Sequence, residues 1–222
     1  MGDDVPPKLQ AALERQMDRR RATLAAGARH VGWKMGMGQR ERIAGSPAIG
    51  HLTSATQVEV GSVVQAGAAG DLHADAEVAV CLGRAINAGA DPVEMAAAIE
   101  GFGAALEIVD LEVPRDDPGA IVATNVFHRA FALGGLTQTA LAQTPARLVV
   151  DGRVRGEAPV TEDMVEVLGT ATALLASVDE SLRAGDWLLT GAAVQVRVRP
   201  GDDVVADMGP LGRVGLRLGI RS

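Results

Sequence analysis

The chain has 222 residues, with 21 lysines and arginines against 28 aspartates and glutamates, a formal charge of −7, and 47% hydrophobic residues. That much apolar material builds a packed core and excludes wholesale disorder. No apolar run approaches the roughly 18 residues of a spanning helix, and the acidic balance disfavours the clustered basic footprint that nucleic acid requires. Neither a membrane nor a nucleic acid is an expected partner. Cys81 is the sole cysteine, so no intrachain disulfide and no zinc site of two cysteines can form, and the compartment is read as reducing and cytoplasmic. The run Arg19–Arg20–Arg21 has only a superficial likeness to a twin-arginine signal, because the segment after it is glycine-broken and polar.

In chain order, Leu9, Leu13, Met17 and Leu24 among charged residues predict an amphipathic helix from Pro7 to about Gly27. GWKMG follows, then an irregular stretch to Gly70 in which only Gln57 to Val64 alternates, read as loops with short strands. LHADAEVAVCL, within Asp71 to Leu82, predicts a strand. Asp91, Pro92 and Glu94 have the spacing of a capped helix start, with the helix running on through AAAIEGFGA and ALEIVDLEV forming a second buried strand. Asp151-Gly152 between β-rich arms predicts a hairpin, and a helix is expected near Glu162 to Ser177. From Asp186 to Leu218 the chain reads as successive strands, WLLTGA, VQVRVR, DVVADMG and GRVGLRL. Strands at both ends, with helices lacking a regular βαβ rhythm, predict an α+β fold.

Asp75 and Glu77 stand two apart on the first of these strands, so their side chains share a face about 7 Å apart at the Cα atoms. Val78 and Val80 take the other face. Glu107 lies in a segment apolar enough that an unpaired charge there would cost several kcal/mol, so a cation is expected beside it. Carboxylates converging from two strands suit a hard divalent ion, Mg2+ or Mn2+, and so few histidines argue against zinc. Of the basic residues only Lys8 and Lys34 are lysine; Lys34, between glycines, offers a compact ammonium where arginine is otherwise the rule. His73 shares the strand face of Asp75, His51 lies in a loop able to reach a site as a base, and His128 is a candidate to hydrogen-bond backbone or substrate. The remaining features are ordinary. Cys81 reads as a buried small hydrophobe, Trp187 as core, and the GWKMGMG glycines lack the spacing of a dinucleotide fingerprint.

GWKMG, the D-A-E-V strand, ALEIVD, Asn125 in VATNVFHRAFALG, LRAGDWLLTGA and GPLGRVGLRL resemble, in order and spacing, the fumarylacetoacetate hydrolase superfamily, in its 2-keto-4-pentenoate hydratase and 4-oxalocrotonate decarboxylase branch. The resemblance runs from about Val31 to Leu218. It implies a mixed β-roll or sandwich over 31–222 as the catalytic domain, with residues 1–30 as an N-terminal helical segment. It implies metal ligands at Asp75, Glu77 and Glu107, catalytic roles for Lys34 and Asp110, and substrate contacts at Thr190 and Asn125. His51 is added as a candidate catalytic base and His73 as a candidate pocket residue. The expected reaction is metal-dependent addition of water to a 2-hydroxy-2,4-dienoate in aromatic catabolism. The alternatives are decarboxylation of 4-oxalocrotonate or oxaloacetate, hydrolysis of an acylpyruvate, and a non-catalytic scaffold. The resemblance also implies a 2-oxo acid substrate, a homo-oligomer and association with a pathway enzyme. The sequence departs from the hydratases at Asp75, one methylene shorter than the usual Glu, and at Thr124-Asn125-Val126-Phe127-His128, where hydratases commonly have D-N-A-S.

Overall fold

A computed structural model describes residues 7–36, 47–66, 70–112, 117–139, 141 and 144–220. Part of the glycine-rich stretch after Gly36 and the Gly67–Ala69 end of the irregular segment lie outside them. No described helix is long and apolar enough to cross a membrane. The architecture is α+β, as expected.

Helix α1 (Pro7–Ala25) is followed by β1 (His30–Gly36), β2 (Ala48–Thr53), β3 (Val63–Ala66) and β4 (Leu72–Leu82). Then come α2 (Pro92–Ala98), β5 (Ile99–Asp110), α3 (Pro118–Ala123), β6 (His128–Leu133), β7 (Pro145–Val150) and β8 (Arg153–Pro159). Helix α4 (Met164–Ala176), β9 (Trp187–Arg197), β10 (Asp203–Asp207) and β11 (Arg213–Ile220) complete the chain. One sheet has the order β2-β1-β9-β4-β5-β6 and the other β3-β11-β10-β7-β8.

Two local signals in the sequence appear as read. Asp91 accepts from the Val93 and Glu94 amides while Glu94 reaches back to the Asp91 amide, a complete capping box. Asp151 and Gly152 both have positive φ, 49° and 73°, the handedness a two-residue hairpin requires between β7 and β8.

Two expectations are corrected. The second helix stops at Ala98, and Ile99–Ala104 is strand rather than helix. The segment after β6 runs so close to β5 that a Cβ on Gly101 would sit 2.5 Å from the Thr137 carbonyl oxygen, and Phe102 pairs with Thr137. The short strand β2 falls in the stretch read as loops with short strands, and it shows no period because all six of its residues are buried, which erases the alternation that marks a half-exposed strand. WLLTGA and VQVRVR are one strand, β9, whose pairing with β4 shifts register on both sides of Glu77.

The six-stranded sheet rolls up. Beyond β2 the chain crosses to the far edge, where the Val58 amide donates to the Phe131 carbonyl and the Phe131 amide to that of Thr56. Strand alternation then gives an inner and an outer face. Outward go Ala74, Ala76, Val78, Val80, Leu106 and Ile108, in the main core with Leu148, Val204 and Val214 of the second sheet. Inward go Leu52, Ala79, Ala105, Phe131 and Leu189, a separate small apolar cluster. Asp75 and Glu77 precede Ala79 on the inner face of β4, and Glu107 follows Ala105 on that of β5, so the interior of the roll is half apolar and half acidic.

Helix α1 closes the outside. Its buried Gln16 amide donates to the Ile49 carbonyl on β2 and the Val122 carbonyl on α3, at 3.0 and 2.7 Å. Arg20, also buried, pairs with Glu180 after α4 at 2.8 Å and lies 4.6 Å over the Trp33 ring.

Candidate metal centre

Antiparallel pairing sets Asp75 directly opposite Glu107. With Glu77 two residues along, the three carboxylates each offer an oxygen within 4.8 Å of the others, and all three residues are buried. Strand β1 joins the same sheet by parallel pairing with β9, in which Lys34 sits opposite Leu189. Its Nζ reaches Glu107 Oε1 at 2.6 Å and donates to the Val126 carbonyl at 3.0 Å. This is the cation that the apolar setting of Glu107 demanded.

The electrostatics divide the triad. Burial pushes the Glu107 carboxyl up, but the Lys34 ammonium and a hydrogen bond from His128 outweigh it and hold the group below its ordinary range. Burial, and then the charge of Glu107, pushes Asp75 up to about 7 despite a hydrogen bond from Gln195. Glu77 is raised well above its usual value by burial and by both neighbouring carboxylates, although the Gly191 amide donates to its Oε2 at 2.9 Å. Asp75 Oδ1 and Glu107 Oε2 are buried with no hydrogen-bond donor. Buried acceptors left bare, in an all-oxygen cluster whose three carboxyls can ionise together only against more positive charge than one lysine supplies, fit a hard divalent cation.

The other residues singled out in the sequence fall into distinct places. Thr190 is buried in the bulged part of β9, its hydroxyl donating to the Val78 carbonyl at 3.1 Å, next to the Gly191 amide that serves Glu77. Asn125 lies beside Lys34: a Cβ built on Gly50 would meet Asn125 Oδ1 and Lys34 Cγ, each at 2.8 Å. Its amide accepts from the His51 amide and donates to the His51 carbonyl, at 2.7 and 3.0 Å.

His51 itself is on strand β2, not in a loop, and pairs with Trp33. That register puts its side chain on the face of the strand opposite Gly50 and Lys34. Burial, with His128, Arg20 and His30 nearby, lowers the His51 imidazole to about 3. Asp110 binds the Arg129 guanidinium at 2.7 Å and the Asp71 and Glu112 amides at 3.1 Å each, fastening the chain at the end of β5. His73 is half-buried and contacts Asp71 at 3.3 Å.

Two features of the site gave little sequence signal. His128 Nδ1 lies 2.6 Å from Glu107 Oε1 and its Nε2 lies 2.9 Å from Thr56 Oγ1. Asn125, Val126 and Phe127 all have positive φ, 69°, 52° and 64°; this left-handed turn aims the Val126 carbonyl at Lys34. A run containing a β-branched residue in that region costs energy, and nothing in T-N-V-F-H announces it.

Residues 25–218 match the fumarylacetoacetate (FAA) hydrolase C-terminal family, and the chain belongs to that family. It is 30% identical to a 4-oxalocrotonate decarboxylase from a Pseudomonas species, over 95% of this chain and 87% of the relative. The fold superimposes on the 4-oxalocrotonate decarboxylase of Pseudomonas putida G7, solved with magnesium and adipate, at a TM-score of 0.84 and 25% identity, covering 93% of this chain and 84% of that one. Fumarylpyruvate hydrolase from Pseudomonas aeruginosa, solved with Mn2+ and pyruvate, shares the fold at a TM-score of 0.67 and 19% identity, over 87% of this chain and 90% of that one.

Proposed function

We propose that the chain is a Mg2+- or Mn2+-dependent decarboxylase of an unsaturated 2-oxo dicarboxylate of the 4-oxalocrotonate type. The observation that carries this reading is the buried cluster of Asp75, Glu77 and Glu107 with the Lys34 ammonium 2.6 Å from Glu107. Asp75, Glu77 and Glu107 would hold the ion. When bound, it supplies a Lewis acid for the 2-oxo group and for the negative charge that develops there as the distal carboxylate leaves. In that step the electron pair of the bond to the departing carboxylate enters the conjugated system, CO2 is released, and a proton then completes the product.

Lys34, held in place by the Val126 carbonyl and Glu107, binds the substrate carboxylate or delivers that proton. Asn125 keeps β2 and the left-handed turn together around it, and the apolar cluster of Leu52, Ala79, Ala105, Phe131 and Leu189 excludes water from the floor.

The hydration expected from the sequence gives way to decarboxylation on two grounds. Similarity to a decarboxylase is the first. Water addition also needs a base at the water, whereas decarboxylation needs only the electron sink and a proton. Among the described residues, both His128 nitrogens are engaged, and His51 is aimed away from Lys34 with its basicity suppressed. A homo-oligomer, and association with the enzyme that takes the product, belong to the same reading.

The test is turnover of metal-stripped protein with and without Mg2+ or Mn2+ on 4-oxalocrotonate, 2-hydroxypenta-2,4-dienoate, oxaloacetate and an acylpyruvate, with products identified by mass. Metal-dependent CO2 release from 4-oxalocrotonate, lost in Glu107→Gln, is the expected result. Water addition to the dienoate would return the reaction to hydration. No turnover and no metal binding would leave a scaffold on an enzyme's fold.

A further inference from the structure

We propose that His128, steadied by Thr56, is a positioning residue that decides which oxygen of Glu107 is offered to the metal. It occupies Oε1 and leaves Oε2 as the single ligand oxygen. This inference rests on the metal reading above. A carboxylate has two nearly equivalent oxygens, and nothing intrinsic stops a buried one from turning or from chelating through both. Here the two oxygens are sharply distinguished. Oε1 takes both Lys34 Nζ and His128 Nδ1, each at 2.6 Å, while Oε2 is buried and bare.

Lysine, on a flexible four-carbon stem, cannot by itself hold the carboxylate plane. The imidazole can, being rigid and fixed at its far end. Its Nε2 meets Thr56 Oγ1 at 2.9 Å, and Thr56 lies on the seam that closes the roll, its carbonyl accepting from the Phe131 amide at 3.0 Å. An ionised carboxylate only accepts, so Nδ1 carries the hydrogen on the Glu107 side; at the far end Nε2 and the Thr56 hydroxyl, which also reaches the Thr53 carbonyl at 3.4 Å, share one hydrogen bond that holds the ring. The arrangement keeps the lysine and the metal ion on different oxygens of one carboxylate, so they do not compete. An outer partner that orients a ligand in this way typically changes metal affinity by about 10–100-fold when removed.

The test is calorimetric titration of metal-stripped full-length protein with Mn2+, with circular dichroism to establish folding. His128→Leu should raise the Kd by about 10–100-fold. His128→Asn, whose amide can place an N–H where Nδ1 stands, should stay within about threefold of the wild type, and Thr56→Val should fall between the two. A folded His128→Leu with the wild-type Kd overturns the proposal, as does an Asn variant no better than Leu, which would make His128 a space-filler. If the Leu variant does not fold, Thr56→Val decides: a weakened Kd supports the proposal and an unchanged one overturns it. Failure of the wild type itself to bind Mn2+ overturns the metal reading and this inference together, whereas wild-type binding with an indifferent His128→Leu overturns this inference alone.

Discussion

Asp75, Glu77 and Glu107 are chemically similar side chains made unlike by their surroundings, and two predictions follow from that difference. Asp75 has an ordinary value of 3.8 and is pushed to about 7 in the folded, metal-free chain, so the folded state holds a proton that the unfolded state has released. The contribution of this group to stability is therefore greatest below about pH 4 and declines as pH rises to about 7; Glu77 acts in the same direction. His51, lowered from 6.5 to about 3, works oppositely over much of that range, so the clearer measure is the response to metal. Binding must displace the protons. Affinity for Mg2+ or Mn2+ should tighten by about tenfold per pH unit for each proton displaced until the carboxyls ionise. The rise in Tm on adding Mg2+ should be larger at pH 8 than at pH 6, and calorimetry in two buffers of different ionisation enthalpy should count protons released. Lys34→Met separates catalysis from binding. Turnover should fall by about 10²–10⁴-fold, while Mn2+ affinity should be kept or tightened, because a cation 2.6 Å from Glu107 has been removed. Steady-state kinetics and a Mn2+ titration on the same preparation check both halves.

Strand β2 and the left-handed turn at Asn125–Phe127 act as a pair of jaws around Lys34. The turn supplies the Val126 carbonyl, and Asn125 ties it to the backbone of His51 on β2 through both ends of its amide. Gly50 is the clearance between the jaws, because a methyl there meets Lys34 Cγ and the side-chain Oδ1 of Asn125 at 2.8 Å each. Gly50→Ala should therefore cost about 1–3 kcal/mol of stability as an overpacking change, and should lower turnover by more than that loss explains. Urea denaturation beside kinetics, well below the melting range, tests it. An active Gly50→Ala enzyme would show that the jaws tolerate displacement of Lys34.

The whole molecule brings distant segments to one interior, and part of the strength of that closure lies outside the roll. Arg20 of α1 and Glu180 beyond α4 form a buried ion pair at 2.8 Å, with the guanidinium over the ring of Trp33, the neighbour of Lys34 on β1. Removing Arg20 leaves the Glu180 carboxylate with only the exposed Arg183 guanidinium, at 3.2 Å, in place of a buried partner. Arg20→Ala should cost about 3–5 kcal/mol, whereas the double replacement Arg20→Met with Glu180→Leu should recover most of it, since packed apolar residues often replace a buried pair without loss. Thermal unfolding of the single and double variants measures this, and an Arg20→Ala variant as stable as the parent would show that the ion pair contributes nothing to holding α1.

The sequence by itself determined what depends on neighbours in the chain. Asp91, Pro92 and Glu94 cap a helix, Asp151 and Gly152 turn a hairpin, and the two-residue period places Asp75 and Glu77 on one face, because each of these follows from local dihedrals and hydrogen bonds. It also named the residues of the acidic cluster, and Lys34, through their order along the chain and the family resemblance. Only the tertiary structure decided the rest. Strand β2, buried on both faces, has no period to reveal it, and the limit of α2 is set by the approach of the Gly135–Thr137 segment to β5. The register of β1 with β2 turns the His51 imidazole away from Lys34, while the positive φ angles at Asn125–Phe127 turn the Val126 carbonyl and His128 toward the site. These are properties of contacts between segments tens of residues apart, made when the roll closes at Phe131, and no local pattern encodes them.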